Sequence, residues 1–172
     1  MINEKVRNVH FLISYFLFLP MINWLLKKFD DLSLHELYAI LQLRNEVFTV
    51  EQNCVYPDLD NKDQAAYHVM GWNNDKADSY RLIAYARIIP PGAAHPEPSI
   101  GRVVTSPSVR GKGIGRQLME HSMEHLYNIY GKTPVKIGAQ LYLKKFYTRL
   151  GFLQAGDVYL EDGIEHIKMV RS

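Results

Sequence analysis

The sequence predicts one α+β domain of the α/β layer kind, a mixed sheet flanked by helices, on three observations. Segments of strand period and helix period alternate in the order strand, helix, three strands, helix, strand, helix, two strands. The 172 residues, 47% hydrophobic and 22% charged, suffice for one ordinary core and lie far from a disordered composition. The single cysteine, Cys54, excludes a disulfide framework and a thiolate metal cluster, and fits a reducing, cytoplasmic setting.

Residues 1–20 stand apart. Lys5, Arg7 and His10 precede an apolar run over 11–20, which resembles the start of a signal peptide. No small-residue cleavage site follows, Pro20 interrupts the run, and about 20 apolar residues are needed to span a bilayer. The expectation is an apolar extension outside a domain at 21–172, with a packed or interfacial helix and a targeting segment as the alternatives, and no membrane partner.

Within that domain, Ile22, Trp24 and Leu26 recur at period two and predict a first strand. Ser33 and Glu36 form a capping box ahead of Leu34, Leu37, Ile40, Leu41, Arg44, Val47 and Phe48, which fall at helical spacing. Pro57, Asp58, Asp60 and Asp63 mark residues 50–63 as a loop. Strands are predicted over 66–72 and 80–89, followed by a proline-rich loop over 90–98. A strand over 99–106 leads through a glycine turn into a helix over 113–130, with Ile114, Leu118, Ser122, Leu126 and Ile129 on its core face. A strand over 135–140, a helix over 143–150 stopped by Gly151, and strands over 152–160 and 165–170 complete the order.

Charge names no partner. The 20 basic and 18 acidic residues give a net charge of +2 without a single-sign run, so no nucleic-acid arm is expected. The spacing of Asp58, Asp60 and Asp63 lacks the glycine and the terminal glutamate of a calcium loop, and no metal site is expected.

The chemistry begins at Arg110-Gly111-Lys112-Gly113-Ile114-Gly115, between a strand and a helix. Glycines let the backbone turn tightly and approach a ligand, and the first N–H groups of a helix have no partner inside it. A phosphate or pyrophosphate is the natural ligand, with Lys112 and Arg116 adding charge. A nucleoside-triphosphate loop is excluded because no Gly-x-x-x-x-Gly-Lys-Ser/Thr run exists. The dinucleotide fingerprint fails at position 116, which is Arg. The pattern Arg-x-x-Gly-x-Gly is met at Arg110, Gly113 and Gly115.

Residues 100–106, the glycine turn, and Phe146-Tyr147-Thr148-Arg149-Leu150-Gly151-Phe152 together resemble the GCN5-related N-acetyltransferases (GNAT). Residues 43–54, 56–60, Asp63, His68, 138–140 and 161–166 narrow this to the ElaA-like branch. The resemblance implies a mostly antiparallel sheet of six to seven strands, in which two central parallel strands, 99–106 and 135–140, splay into a groove for acetyl-coenzyme A. It places the pantetheine arm against Val103 and Thr105, the pyrophosphate on the N–H groups of Gly111 to Arg116, and Gln140 where relatives carry an asparagine.

Acyl transfer to an amine needs a neutral amine, a polarised carbonyl and a stabilised thiolate. A strand N–H near Val103 or Val104 suits the acetyl oxygen. By resemblance, Tyr147 protonates the thiolate. His68 and Glu51 are the candidate bases, and Arg44, Asp60, Asp63, Glu161 and His166 the candidate acceptor contacts. Arg44, charged on an apolar helix face, is expected to pair with Glu51 or Glu161 or to clamp a substrate carboxylate. The expected partner is a small-molecule or peptide amine, the expected assembly a monomer or homodimer. A non-catalytic acyl-coenzyme A sensor is the competing reading.

Overall fold

The computed structural model describes residues 21–54, 56–74 and 81–172. The apolar run over 11–20 lies outside them. Seven strands form one sheet: β1 (Ile22–Lys28), β2 (Tyr67–Asn73), β3 (Arg81–Ile89), β4 (Ser99–Thr105), β5 (Val135–Gln140), β6 (Leu153–Glu161) and β7 (Ile164–Arg171), in the spatial order β1-β2-β3-β4-β5-β7-β6. Only β4 and β5 run parallel.

Three helices cover the sheet: α1 (Leu34–Arg44), α2 (Ile114–Tyr130) and α3 (Lys144–Thr148). The capping box at the start of α1 forms as the sequence requires, with the Glu36 N–H donating to Ser33 Oγ at 3.2 Å and the Ser33 N–H to Glu36 Oε2 at 2.8 Å. Helix α1 continues as a π-helical segment over Asn45–Glu51, beyond the point where the sequence predicts a loop. Its buried stripe is Ile40, Leu43, Arg44 and Val47, while Leu34 is exposed. Helices α2 and α3 pack on one face of the sheet, where Ile114, Leu118, Met119, Met123, Leu126 and Tyr147 meet Ala84, Ile88, Ile137 and Ile167. Helix α1 packs on the other face against Met70, Trp72, Tyr85 and Val104.

Two backbone irregularities shape the centre of the sheet. Tyr85 pairs with Val104 and Arg87 with Gly101, so β4 carries an extra residue, and Arg102 there has φ of 53°. Such a bulge bends the strand and breaks its ladder. In addition, β4 and β5 meet at one register pair, Ser99 with Lys136, where the Lys136 N–H donates to the Pro98 carbonyl at 3.1 Å. Beyond that junction the strands splay.

Candidate active site

The splay opens a groove of about 1190 Å³. At one end lies the glycine turn. Gly111 and Gly113 have φ of 74° and 79°, the left-handed region that side chains resist, and Gly113 caps α2. No side chain caps the helix and its first turn holds no acidic residue, so the turn offers backbone N–H groups and a positive dipole end to an anion. Arg110, Gly111, Gly113, Ile114, Gly115 and Arg116 all line the groove. Lys112 does not; its ammonium donates to the Ser108 carbonyl at 3.2 Å and braces the turn.

Val103, Val104 and Thr105 line the groove from β4, and Gln140 lines it from β5. Gln140 Nε2 donates to Gln52 Oε1 at 3.2 Å, tying the end of β5 to the residue after the π segment. Tyr147 lines the groove from below, 6% exposed, wedged edge-on between Phe146 and Phe152. Burial pushes its phenol well above the usual range, with Tyr142 adding to the effect, so it holds its proton.

Glu51 does reach the groove, but as the partner of Arg110, whose Nη1 and Nη2 donate to its two carboxylate oxygens at 2.5 and 2.9 Å. That hydrogen bond holds the Glu51 carboxyl below its usual range.

The acceptor-side candidates divide. Arg44 does not pair with Glu51 or Glu161 and does not face the groove. It is fully buried, with Nε donating to Asp58 Oδ2 at 2.8 Å and Nη1 to Asp63 Oδ2 at 2.9 Å. Asp63 also accepts from Arg87 Nη1 at 2.7 Å, and Asp60 takes Arg87 Nη1 and Nη2 at 2.6 and 2.7 Å. Arg102 closes the set, its Nε 2.6 Å from Asp58 Oδ1 and its Nη2 3.3 Å from Asp60 Oδ2. Three guanidinium groups and three carboxylates thus bind the 58–63 loop to α1, β3 and β4. Burial opposes ionisation of Asp60 and Asp63, but the arginines outweigh it and hold both carboxyls below the usual range.

His68 belongs to this scaffold. It is fully buried, its Nδ1 2.8 Å from the Tyr85 hydroxyl and its Nε2 3.1 Å from the Asp63 carbonyl. A carbonyl only accepts, so Nε2 carries the hydrogen and Nδ1 accepts from Tyr85. Both nitrogens are occupied and burial holds the ring below its usual pKa. The candidates that do face the groove are Asp60, Glu161 and His166.

Arg87 and Tyr85 went unmarked in the sequence, and Arg102 and Tyr56 entered only as members of segments that resemble the family. For Arg87 the signal was present: it is the lone charge between Leu82 and Ile89 in β3, the same anomaly that marks Arg44. Arg102 gave none, because its placement follows from the bulge.

Among the described residues, no group of three or more His, Cys, Asp or Glu is placed to hold a metal, and no helix is long and apolar enough to cross a membrane.

A groove between two parting parallel strands, ending on a glycine-rich helix start, is the arrangement of an acyl-carrier transferase. The family model of the acetyltransferase (GNAT) domain matches residues 47–172, and the chain belongs to that family of acyltransferases. Within the family it is similar to ElaA of Escherichia coli, 43% identical over 153 residues that cover 88% of this chain and 97% of ElaA. The crystal structure of that ElaA superposes with a TM-score of 0.81 at 42% identity, covering 88% of this chain and all (100%) of the other. An acyl-CoA N-acyltransferase from Pseudomonas aeruginosa matches equally well, with a TM-score of 0.81, 42% identity, and coverage of 88% and 99%.

Proposed function

We propose that the protein transfers the acetyl group of acetyl-coenzyme A to a primary amine of a small molecule or peptide, by direct attack of the amine on the thioester. The observation that carries this reading is the single groove that joins the uncapped start of α2, the bulged strand β4 and the Tyr147 side chain.

The pyrophosphate sits on the turn from Gly111 to Arg116, and the pantetheine arm runs between β4 and β5 along Val103, Thr105 and Gln140. The bulge leaves β4 with backbone groups not matched one to one by β3, and an N–H near Val103 or Val104 is the donor to the acetyl oxygen. The amine nitrogen attacks the carbonyl carbon, the carbon–sulfur bond breaks, and the departing thiolate takes the Tyr147 proton.

The amine's own proton needs an acceptor, and neither of the two bases expected from sequence suits the task. His68 is closed on both nitrogens, and Glu51 is held by Arg110. His166 fits better. Its Nδ1 donates to the Ile164 carbonyl at 2.8 Å, which leaves the lone pair on Nε2, and the ring lines the groove beside Tyr159.

The test is a screen of amines following coenzyme A release, alongside calorimetric binding of acetyl-coenzyme A. Tyr147→Phe is expected to lower turnover roughly 10²-fold or more while binding is retained. Unchanged turnover would remove Tyr147 from the reaction. Binding without release from any amine would point to the sensor instead.

A further inference from the structure

We propose that the acceptor carries, besides its amine, an anionic group, a carboxylate or a phosphate, held by Lys62, His95 and Lys168 at the junction end of the groove. The inference rests on the amine-transfer reading above and names the substrate class of that same site.

Helix α1 covers β2, β3 and β4 on its face of the sheet but leaves β5, β7 and β6 open beside it. On this open floor Lys168 stands directly across from Gly138, its ammonium 5.7 Å from the centre of the Tyr159 ring. Lys136 sits at the junction with Ser99, and Lys62 and His95 come in from two loops. Lys62, His95, Ser99, Gly138 and Lys168 all line the groove. Burial first, and then the charges of Lys136, Lys168 and Lys62, hold His95 below its usual pKa, with Glu97 offsetting part of the effect.

The nearby aspartates are already engaged, while Glu97 keeps a buried Oε2 without a hydrogen-bond partner. Asp60 spends both oxygens on Arg87 and Arg102, leaving Lys62 a loose 3.7 Å contact, and Asp58 and Asp63 are held by Arg44, Arg87 and Arg102. The three arginines and three aspartates cancel, and Glu97 offsets one of Lys62, Lys136 and Lys168, so positive charge remains in excess. Like charges gathered at one end of a cleft raise the local concentration of an anion there.

The opposite end has the other sign. Glu161 and Asp162 line the groove at the β6–β7 turn, where the Asp162 carbonyl lies 3.9 Å from Cys54 Sγ. Burial, with the Glu161 carboxylate adding to it, pushes the Tyr159 phenol up to about 12. Along β5, Lys136 and Gln140 are four residues apart, about 13 Å at strand rise. Along β5 and β7 the groove is therefore cationic at the junction and anionic at the β6–β7 turn, while the glycine turn beyond β4 carries its own positive charge at Arg110 and Arg116. The groove matches a molecule with an anion at one end and an amine toward the other.

Matched acceptor pairs test this: amino acids against their carboxamides, and aminoalkyl phosphates against the corresponding amino alcohols. In at least one of the two series the anionic member is expected to show kcat/KM tenfold or more above its neutral partner. Lys62→Ala with Lys168→Ala is expected to erase that preference mainly through KM, whereas Lys168→Arg retains it. The series that shows the preference identifies the anion as carboxylate or phosphate. Equal or faster turnover of the neutral members in both series would overturn the assignment while leaving the transferase reading intact. Absence of turnover on every amine would overturn the transferase reading. Calorimetry of N-acetylated acids and phosphates against their neutral analogues, on protein loaded with coenzyme A, then decides the anion site, and equal binding overturns it.

Discussion

Arg110 and Glu51 show how one side chain can hold two assignments. Both are half-exposed, and their bidentate pair sits where a phosphate of the acyl carrier is proposed to bind. In the free protein the Glu51 carboxylate occupies the face of Arg110 that a phosphate oxygen would use. An exposed pair of this kind contributes about 0.2 to 1 kcal/mol, so Glu51→Gln should tighten coenzyme A binding by up to about fivefold in calorimetry. An unchanged or weaker affinity would show that the pair does not compete with the ligand. Glu51 could be singled out from the sequence because it belongs to a segment resembling a family branch. Its pairing with Arg110 could not, since residues 51 and 110 meet only after β4 and α1 are in place. The charged residues of the scaffold were legible in proportion to the oddity of their surroundings. Arg44 and Arg87 interrupt apolar faces, whereas His68 on a strand looked like a free base until its two ring nitrogens were accounted for.

The elements themselves were written plainly in period and punctuation, because strand alternation, the Ser33–Glu36 box and the glycines at helix ends act locally. The π-helical extension of α1 was not, since a wider turn is selected by what it packs against and leaves no periodic trace. Close approach between elements is also a tertiary matter. Gly71 in β2 is a case: a Cβ there would lie 2.7 Å from the Trp24 ring of β1 and 3.1 Å from Ala84 Cβ of β3. The indole cannot swing freely away, because it packs at a tilt against His121 of α2 with ring centres 4.8 Å apart. Gly71→Ala is therefore expected to cost about 1 to 3 kcal/mol by overpacking, read as a lower urea midpoint at unchanged slope. A stability equal to the parent's would mean that β1 sits more loosely than its register implies.

For the molecule as a whole, the arginine–aspartate network and His68 make stability depend on pH in a stated direction. His68 is held below its ordinary value by burial, so the unfolded chain binds its proton first as pH falls. Stability is full above about pH 6.5 and declines below it, by at most about 1.4 kcal/mol per pH unit for that one proton. Asp60 and Asp63 are likewise depressed in the fold, so their contribution is complete above about pH 4 and is lost on further acidification. Denaturant titrations from pH 8 to 3 should show both stages, and His68→Gln should flatten the first by one proton's worth. A slope between pH 5 and 6.5 that survives the substitution would place the responsible group elsewhere.

The single register pair between β4 and β5 also has a mechanical meaning. Strands β1 to β4 and strands β5 to β7 each form an antiparallel set interrupted by bulges, but between the two sets the backbone is stitched at the Ser99–Lys136 end. The chain therefore resembles a book held at the base of its spine, with α2 and α3 bridging the covers from behind. A ligand laid along the open spine supplies the cross-links that the protein's own backbone leaves out. The empty protein is expected to breathe along this line and the loaded one to unfold as a single cooperative body, a difference that amide exchange of β4 and β5 with and without coenzyme A would read.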